Sequence, residues 1–274
     1  MKINIDAGHG SNTPGKRTPD GYAEHWFNVD VAVKLAEAFD RCGIEYTKTG
    51  WNDSNAKDDV DVSLTKRQKQ IKDSGCDLSI SIHYNAYGDG KSYNNAQGLD
   101  VFVSDKNDCI GDSINFANKV HAELVKGTKQ NDRGVKRKAL SMVNCKLMGT
   151  KAAILCELGF MTNEFEAKLM QNPDFILECA EEICRGTCNY IGVTYVEPGH
   201  SKTEPSDQPI DKAFKVRIIC NTLNIRKSSS LLSSKVGVVH GGEVYTIVEV
   251  KGTWGKLKSG AGWISIKPSY VTKV

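Results

Sequence analysis

From residue 3 to residue 189, short continuous apolar runs alternate with longer stretches in which apolar positions recur every three or four residues. The runs Ile3 to Ala7, Ile44 to Thr47, Leu78 to Ile82, Leu99 to Val103 and Ala153 to Leu158 predict strands. The stretches 23–42, 63–73, 111–126 and 164–189 predict helices. Strand and helix in alternation predict an α/β fold, with a central β-sheet flanked by helices. After residue 213 the pattern changes to short β-rich runs divided by Gly, Ser and Asn turns: Phe214 to Ile219, Val236 to Val239, Val244 to Val250, Trp254 to Leu257 and Gly262 to Ile266. That spacing predicts a small all-β barrel. Residues 193–213 hold three of the seven prolines and little apolar pattern, as an extended linker would. The predicted organisation is 1–192, 193–213 and 214–274, with no internal repeat and no low-complexity tract.

Composition agrees with two folded parts. Apolar residues make up 39% and charged residues 25% of 274, and the mean hydropathy is -0.39. This balance excludes disordered and collagen-like chains. No stretch approaches the roughly 18 to 20 apolar residues of a membrane span. Asp6 interrupts the N-terminal run before a signal-peptide core could form, so synthesis in the cytoplasm without a secretory address is expected. The net charge of +3 conceals an asymmetry: residues 214–274 carry ten Lys/Arg against two Asp/Glu, while residues 1–192 are mildly acidic. A tail of +8 points to an anionic partner, be it nucleic acid, anionic lipid or a wall polymer. Nine scattered cysteines, an odd number in a chain too large to need staples, argue for reduced thiols. The closest of them, Cys179, Cys184 and Cys188, lack the paired spacing of a structural zinc site and read as small apolar helix positions.

Four residues carry candidate chemistry. In Asp6-Ala7-Gly8-His9-Gly10 the glycines permit a sharp turn that presents His9 at the carboxyl end of the first strand, the edge where open α/β sheets bind ligands. His83 closes the strand 78–82 and precedes Tyr84-Asn85-Ala86. Glu24 opens a helix and lies on the stripe of Phe27, Val31, Leu35, Ala38 and Phe39, so its carboxylate faces inward and needs a cation or a hydrogen bond. Glu157 ends the apolar strand Ala153-Ile154-Leu155-Cys156. Each alone also fits a turn residue or a satisfied polar group. Together, two histidines and a glutamate are what a catalytic zinc site supplies while leaving one position for water, and Glu157 remains as general base or water-orienting group. No compact HExxH string fixes two ligands on one helix.

In order and separation, Asp6-Ala7-Gly8-His9-Gly10, Glu24, Ser81-Ile82-His83-Tyr84-Asn85-Ala86 and Glu157-Leu158-Gly159-Phe160-Met161-Thr162-Asn163 resemble the zinc-dependent N-acetylmuramoyl-L-alanine amidases of the type-3 amidase family. The resemblance covers residues 2–190. It implies Zn2+ held by His9, Glu24 and His83, a catalytic Glu157, and as substrate the amide joining the lactyl group of N-acetylmuramic acid to L-alanine in peptidoglycan. Val62-Ser63-Leu64-Thr65-Lys66-Arg67 resembles another family segment, with Lys66 where an acid is common and no catalytic role attached. The tail is similar to bacterial SH3 domains, which often bind cell-wall material. Its matching segments are Thr222-Leu223-Asn224-Ile225-Arg226, Gly241-Gly242-Glu243-Val244, Trp254-Gly255-Lys256-Leu257 and Gly262-Trp263-Ile264, with Lys-Ser-Ser-Ser in place of the usual Gly-Pro turn. An SH3-like barrel is thus implied for 214–274.

The expected protein is a peptidoglycan amidase delivered to its polymer, and to any anionic wall polymer, by the basic module. No nucleic acid and no membrane insertion are expected. The role that fits is a phage or prophage endolysin, made in the cytoplasm and acting on the wall after release through membrane lesions. The rivals are a sporulation or autolytic amidase, a metallopeptidase or deacetylase on the same site, and a non-catalytic wall- or nucleic-acid-binding protein. Among the remaining residues, His25 is predicted about 100° around the helix from Glu24, at the surface or on the substrate side. His121, His200 and His240 read as structural or solvated. Arg133, Lys136, Arg137 and Lys138 read as a solvated loop that could touch glycan or peptide carboxylates, and Trp254, Trp263 and Tyr270 as barrel packing.

Overall fold

The structure is a computed structural model that describes residues 1–106, 109–128, 130–198, 213–229, 233–251, 253–266 and 270–274. Its contacts divide the chain into Met1–Tyr195 and Val196–Val274. Most of the predicted linker, with His200, lies outside the described residues.

The first unit is built on strands β1 (Lys2–Ala7), β2 (Glu45–Thr49), β3 (Leu78–Asn85), β4 (Leu99–Val103), β5 (Asp132–Arg137) and β6 (Ala152–Phe160). Its helices are α1 (Glu24–Cys42), α2 (Leu64–Ser74), α3 (Ile110–Gly127), α4 (Cys145–Met148), α5 (Glu164–Leu169) and α6 (Pro173–Ile191). The strand order is β2-β1-β3-β6-β4-β5. β1, β2, β3 and β6 run parallel, whereas β4 is antiparallel to β6 and parallel to β5. From β1 the chain goes out to β2 on one side and returns to β3 on the other. That reversal opens a crevice at the carboxyl ends of β1 and β3, the place where such sheets bind ligands. On one face α6 packs against α1 and α3. On the other, α2 and α4 enclose Ile71, Cys76, Met142, Cys145, Met148 and Ala153, and Leu155 meets Phe102 and Val143. Because side chains alternate along a strand, Ala153, Leu155 and Glu157 share that second face, so β6 runs from the core to the carboxyl edge of the sheet on one set of positions.

Local chemistry sets the ends of these elements. Gly43, in the left-handed conformation, stops α1. Ser63 caps α2 by accepting from the backbone N–H of Lys66. The predicted helical stretch 164–189 is two helices: Asn172 caps and Pro173 opens α6, because proline fits the first helical turn and not its interior. The basic run expected as a solvated loop is instead β5, the charged edge strand of the sheet. Lysine and arginine on an edge strand block pairing with another chain.

One further expectation is corrected. Cys109 and Cys145 form a disulfide, with Cα atoms 6.3 Å apart. The starts of α3 and α4 meet there and bring together residues 36 apart in sequence, which the parity of the cysteine count cannot reveal. The other seven cysteines form no disulfide. Cys179, Cys184 and Cys188 are buried positions of α6, as expected, and the last two lie beside Cys42 of α1.

The C-terminal unit is an antiparallel seven-stranded sheet of β7 (Phe214–Ile218), β8 (Thr222–Arg226), β9 (Lys235–His240), β10 (Val244–Lys251), β11 (Trp254–Leu257), β12 (Trp263–Ser265) and β13 (Val271–Lys273). Their order is β13-β7-β10-β11-β12-β8-β9. β8 and β13 add to the strands that the apolar runs predict. The core is Val216, Ile218, Ile225, Val239, Ile247, Leu257, Ile264 and Val271. Trp254 and Trp263 are buried as expected, and Tyr270 is 38% exposed. Among the described residues, no helix of either unit is long and apolar enough to cross a membrane.

Candidate active site and metal centre

Strand β1 delivers the chain into Gly8-His9-Gly10. The N–H of Gly8 donates to the carbonyl of Ile82 at 3.0 Å, so β1 stays paired with β3 up to the turn. A Cβ at Gly8 would fall 2.2 Å from the His83 ring, so the close approach of loop and histidine requires glycine here. His9 itself has φ 63, the left-handed region that side-chain-bearing residues rarely occupy. Arg67, 1% exposed, holds this turn. Its Nη1 donates to Asp6 Oδ1 at 2.9 Å and to the carbonyl of Ala7 at 2.5 Å, and its Nη2 to the carbonyl of His9. Asp6 also accepts from Thr49 at 2.8 Å and Ser81 at 2.6 Å. The β1–β2–β3 edge is thereby tied to α2.

Into this frame α1 points Glu24, 1% exposed. Its Oε1 lies 3.0 Å from His83 Nδ1 and accepts from the backbone N–H of Tyr84 at 3.0 Å. Its Oε2 stands 3.3 Å from His9 Nε2 and, among the described residues, has no hydrogen-bond partner. The rings of His9 and His83 meet edge to face, centroids 4.8 Å apart. One ligand atom from each of His9, Glu24 and His83 falls within 4.8 Å of the others. A buried carboxylate oxygen with no hydrogen bond, between two imidazoles, is the donor set that a divalent N/O-binding ion such as zinc completes. A cleft of about 210 Å³ opens on the group, lined among others by Asp6, His9, Asp61, Leu64, His83 and Met142.

Electrostatics favour ligation. Burial lowers the His9 pKa to about 4, against the pull of Glu24, so its ring is neutral near pH 7. Burial alone would raise Glu24, but the hydrogen bond from His83 and the charge of His9 overcome it and hold the carboxyl at about 2. Burial likewise opposes charge on His83, whose bond to Glu24 raises it on balance. Glu157 pairs in register with His83 across β3 and β6. Burial raises it to about 8, with His83 opposing and Glu24 and Asp100 adding to the rise. Its Oε2 is buried without a hydrogen-bond partner among the described residues. The two carboxyl groups of this edge, Glu24 and Glu157, therefore carry different proton affinities, which is how acid and base roles are divided within a site.

The N-acetylmuramoyl-L-alanine amidase family model, Amidase_3, matches residues 3–189. The chain belongs to this amidase family. A cell wall amidase of Bacillus anthracis described as uncharacterized is 28% identical over 218 residues, covering 73% of this chain and 36% of that protein. The chain thus spans about a third of that relative's length. The endolysin of Bacillus phage SPP1 is 25% identical over 218 residues, covering 78% of this chain and 74% of its own. Among solved structures, an N-acetylmuramoyl-L-alanine amidase from Clostridium difficile 630 superposes with a TM-score of 0.60 at 27% identity, covering 70% of this chain and 97% of that one.

In this amidase family member the four predicted site residues converge on one edge. His9, Glu24 and His83 meet directly, and Glu157 sits one strand away. His25 does not behave as predicted. It is fully buried, with Nδ1 donating to the carbonyl of Gly8 at 2.8 Å and Nε2 3.0 Å from Asp59 Oδ2, because the segment carrying Asp59 covers that side of α1. It braces the His9 turn from behind. His121 pairs with Asp132 at 2.8 Å, and His240 is exposed at the end of β9. Sequence reading missed Arg67, although Asp6 inside an apolar strand demanded a cation. It also missed Glu166, 1% exposed, whose carboxylate accepts from the N–H groups of Gly98 at 2.9 Å and Phe160 at 2.7 Å and so fixes the ends of β4 and β6.

Proposed function

We propose that the chain hydrolyses the amide between N-acetylmuramic acid and L-alanine in peptidoglycan, with zinc held by His9, Glu24 and His83 and Glu157 as the proton-transferring group. The convergence of two imidazoles and a buried, partly unsatisfied carboxylate at the sheet's reversal point carries the reading. A zinc ion bound there supplies Lewis-acid polarisation of the carbonyl and a water of lowered pKa. Glu157, across from His83, takes the proton of the attacking water and passes it to the leaving amine. His25, Asn28 and Arg67 hold the His9 turn through the carbonyls of Gly8, Ala7 and His9. Glu24 is oriented by the Tyr84 N–H, so the ligands are positioned before substrate arrives.

The basic C-terminal unit, similar in sequence to bacterial SH3 domains, keeps the enzyme on its anionic polymer. The role is that of an endolysin, a reading supported by the similarity to the Bacillus phage SPP1 protein over most of both chains. Digestion of purified peptidoglycan with and without a chelator, followed by mass analysis of the released ends, tests the activity. Chelator-sensitive appearance of L-alanine amino termini on intact glycan is expected. New reducing sugars, or cuts within the peptide, would overturn the assignment.

A further inference from the structure

The basic run on β5 takes no part in the hydrolysis, yet the fold carries it to the same edge. β4 is antiparallel to β6, so Asp100 lies directly opposite Glu157, which in turn lies opposite His83. Cross-strand partners share a face of the sheet, about 5 Å apart. His83, Glu157 and Asp100 thus form a row over β3, β6 and β4, and β5 is the next strand outward. From β5, Arg133 donates from Nε to Asp100 Oδ2 at 2.8 Å, and the Lys136 ammonium meets Oδ1. Asp100 is 1% exposed, while the side chains of Arg133 and Lys136 keep 37% and 39% of their surface open. Neutralising one buried carboxylate takes one cation, and here there are two. Among the described residues, neither cation makes an ion pair with any other carboxylate. The surplus positive charge is fixed in place: the Arg133 guanidinium lies 4.8 Å over the Phe160 ring, and its Nη1 reaches the carbonyl of Gln97 at 3.4 Å.

We propose that Arg133 and Lys136, positioned by Asp100, form a subsite for the free α-carboxylate of the second residue of the peptide stem. The proposal rests on the amidase reading. The amine released in that reaction belongs to the first stem residue. An extended chain advances roughly 3.3–3.6 Å per residue, so a carboxylate on the second residue reaches from the scissile amide, beside Glu157, toward the cations of β5. Fork-shaped guanidinium and mobile ammonium together suit a carboxylate, and a carboxamide in its place would lose the charge-assisted part of the contact.

The test compares muramoyl-L-Ala-γ-D-Glu-L-Lys with muramoyl-L-Ala-D-isoglutaminyl-L-Lys, in both of which the γ-carboxyl is tied up in an amide, so that they differ only by α-carboxylate against α-carboxamide on the second residue. The wild-type protein is expected to favour the acid by about tenfold or more in kcat/KM, through KM, and to lose that preference as ionic strength rises. The double variant Arg133→Gln, Lys136→Gln is expected to bring the ratio close to one. A wild-type ratio near one, a ratio insensitive to salt, or an equal loss on both substrates in the variant would overturn the subsite while leaving the amidase assignment standing. The first two outcomes need no variant, so a double variant that fails to fold still leaves the proposal open to refutation. Cleavage of neither substrate would overturn the amidase assignment, and the subsite with it.

Discussion

Residues 1–195 enclose Asp6, Glu24, Arg67, Asp100, Glu166 and Glu182 within sheet and helices, each under 4% exposed. In the C-terminal unit the interior is Val216, Ile218, Ile225, Val239, Ile247, Leu257, Ile264 and Val271, and among the described residues Arg226 is its only buried charged side chain. An unpaired charge in a protein interior costs several kcal/mol, and the first unit meets that cost with dense pairing. Asp6 has Arg67, Thr49 and Ser81; Asp100 has Arg133 and Lys136; Glu166 has backbone N–H groups. The contrast teaches where chemistry resides. On the proposed reading, a unit that binds through its surface field can keep a plain apolar core, whereas one that moves protons must hold charge where water does not screen it.

The sharpest break of this contrast is Glu157→Gln, which keeps the shape and removes the proton acceptor. We expect hydrolysis of peptidoglycan to fall by about 10²–10⁴-fold with folding intact; undiminished turbidity loss in a wall suspension would remove Glu157 from the chemistry. Next, His83→Ala is expected to lose most of its bound zinc after dialysis, measured by elemental analysis, and full retention would dismiss the ligand set.

Stability should separate the units in kind. Arg67→Met leaves Asp6 buried without its cation and is expected to cost about 3–5 kcal/mol in denaturant unfolding. Ile247→Ala, in the apolar core of the other unit, is expected to cost about 2–5 kcal/mol through a cavity instead. A near-neutral Arg67→Met would show that the pair is dispensable and would weaken the contrast drawn above.

A smaller effect follows from Glu182 on α6. Burial pushes its pKa up to about 9, helped by Glu178 and Glu123 and opposed by Arg185, from an ordinary 4.5. Because the folded value lies above the unfolded one, the fold favours the protonated form. The associated stability is present below pH 4.5 and drains away as pH rises through 9. Glu182→Gln should therefore show a flatter decline in melting temperature between pH 5 and pH 9, and curves parallel to wild type would refute it.

How far the sequence could be read follows from the same contrast. His9, Glu24, His83 and Glu157 were legible because each breaks an apolar pattern at a strand end or helix start, where glycine or burial leaves few explanations. Strand β5 was not, since Asp132 to Arg137 has no alternation and a single apolar residue, Val135, and becomes a strand only by pairing with β4. Nor was the reversal of β4, which puts Asp100 beside Glu157, because direction within a sheet is set by tertiary connection and not by local pattern. The burial of His25 came from loops that cover α1, and helical geometry alone placed it at the surface.

The turn at His9 has a dynamic consequence. Its left-handed backbone is costly for a residue with a side chain, by about 1–2 kcal/mol, and the Arg67 contact to its carbonyl comes from a residue 58 positions along the chain. The loop therefore cannot relax on its own timescale while α2 stands. Amide hydrogens at His9 and Gly10 should exchange in step with the opening of α2, so that the histidine turn and the helix breathe as one unit although neither is the other's neighbour in sequence.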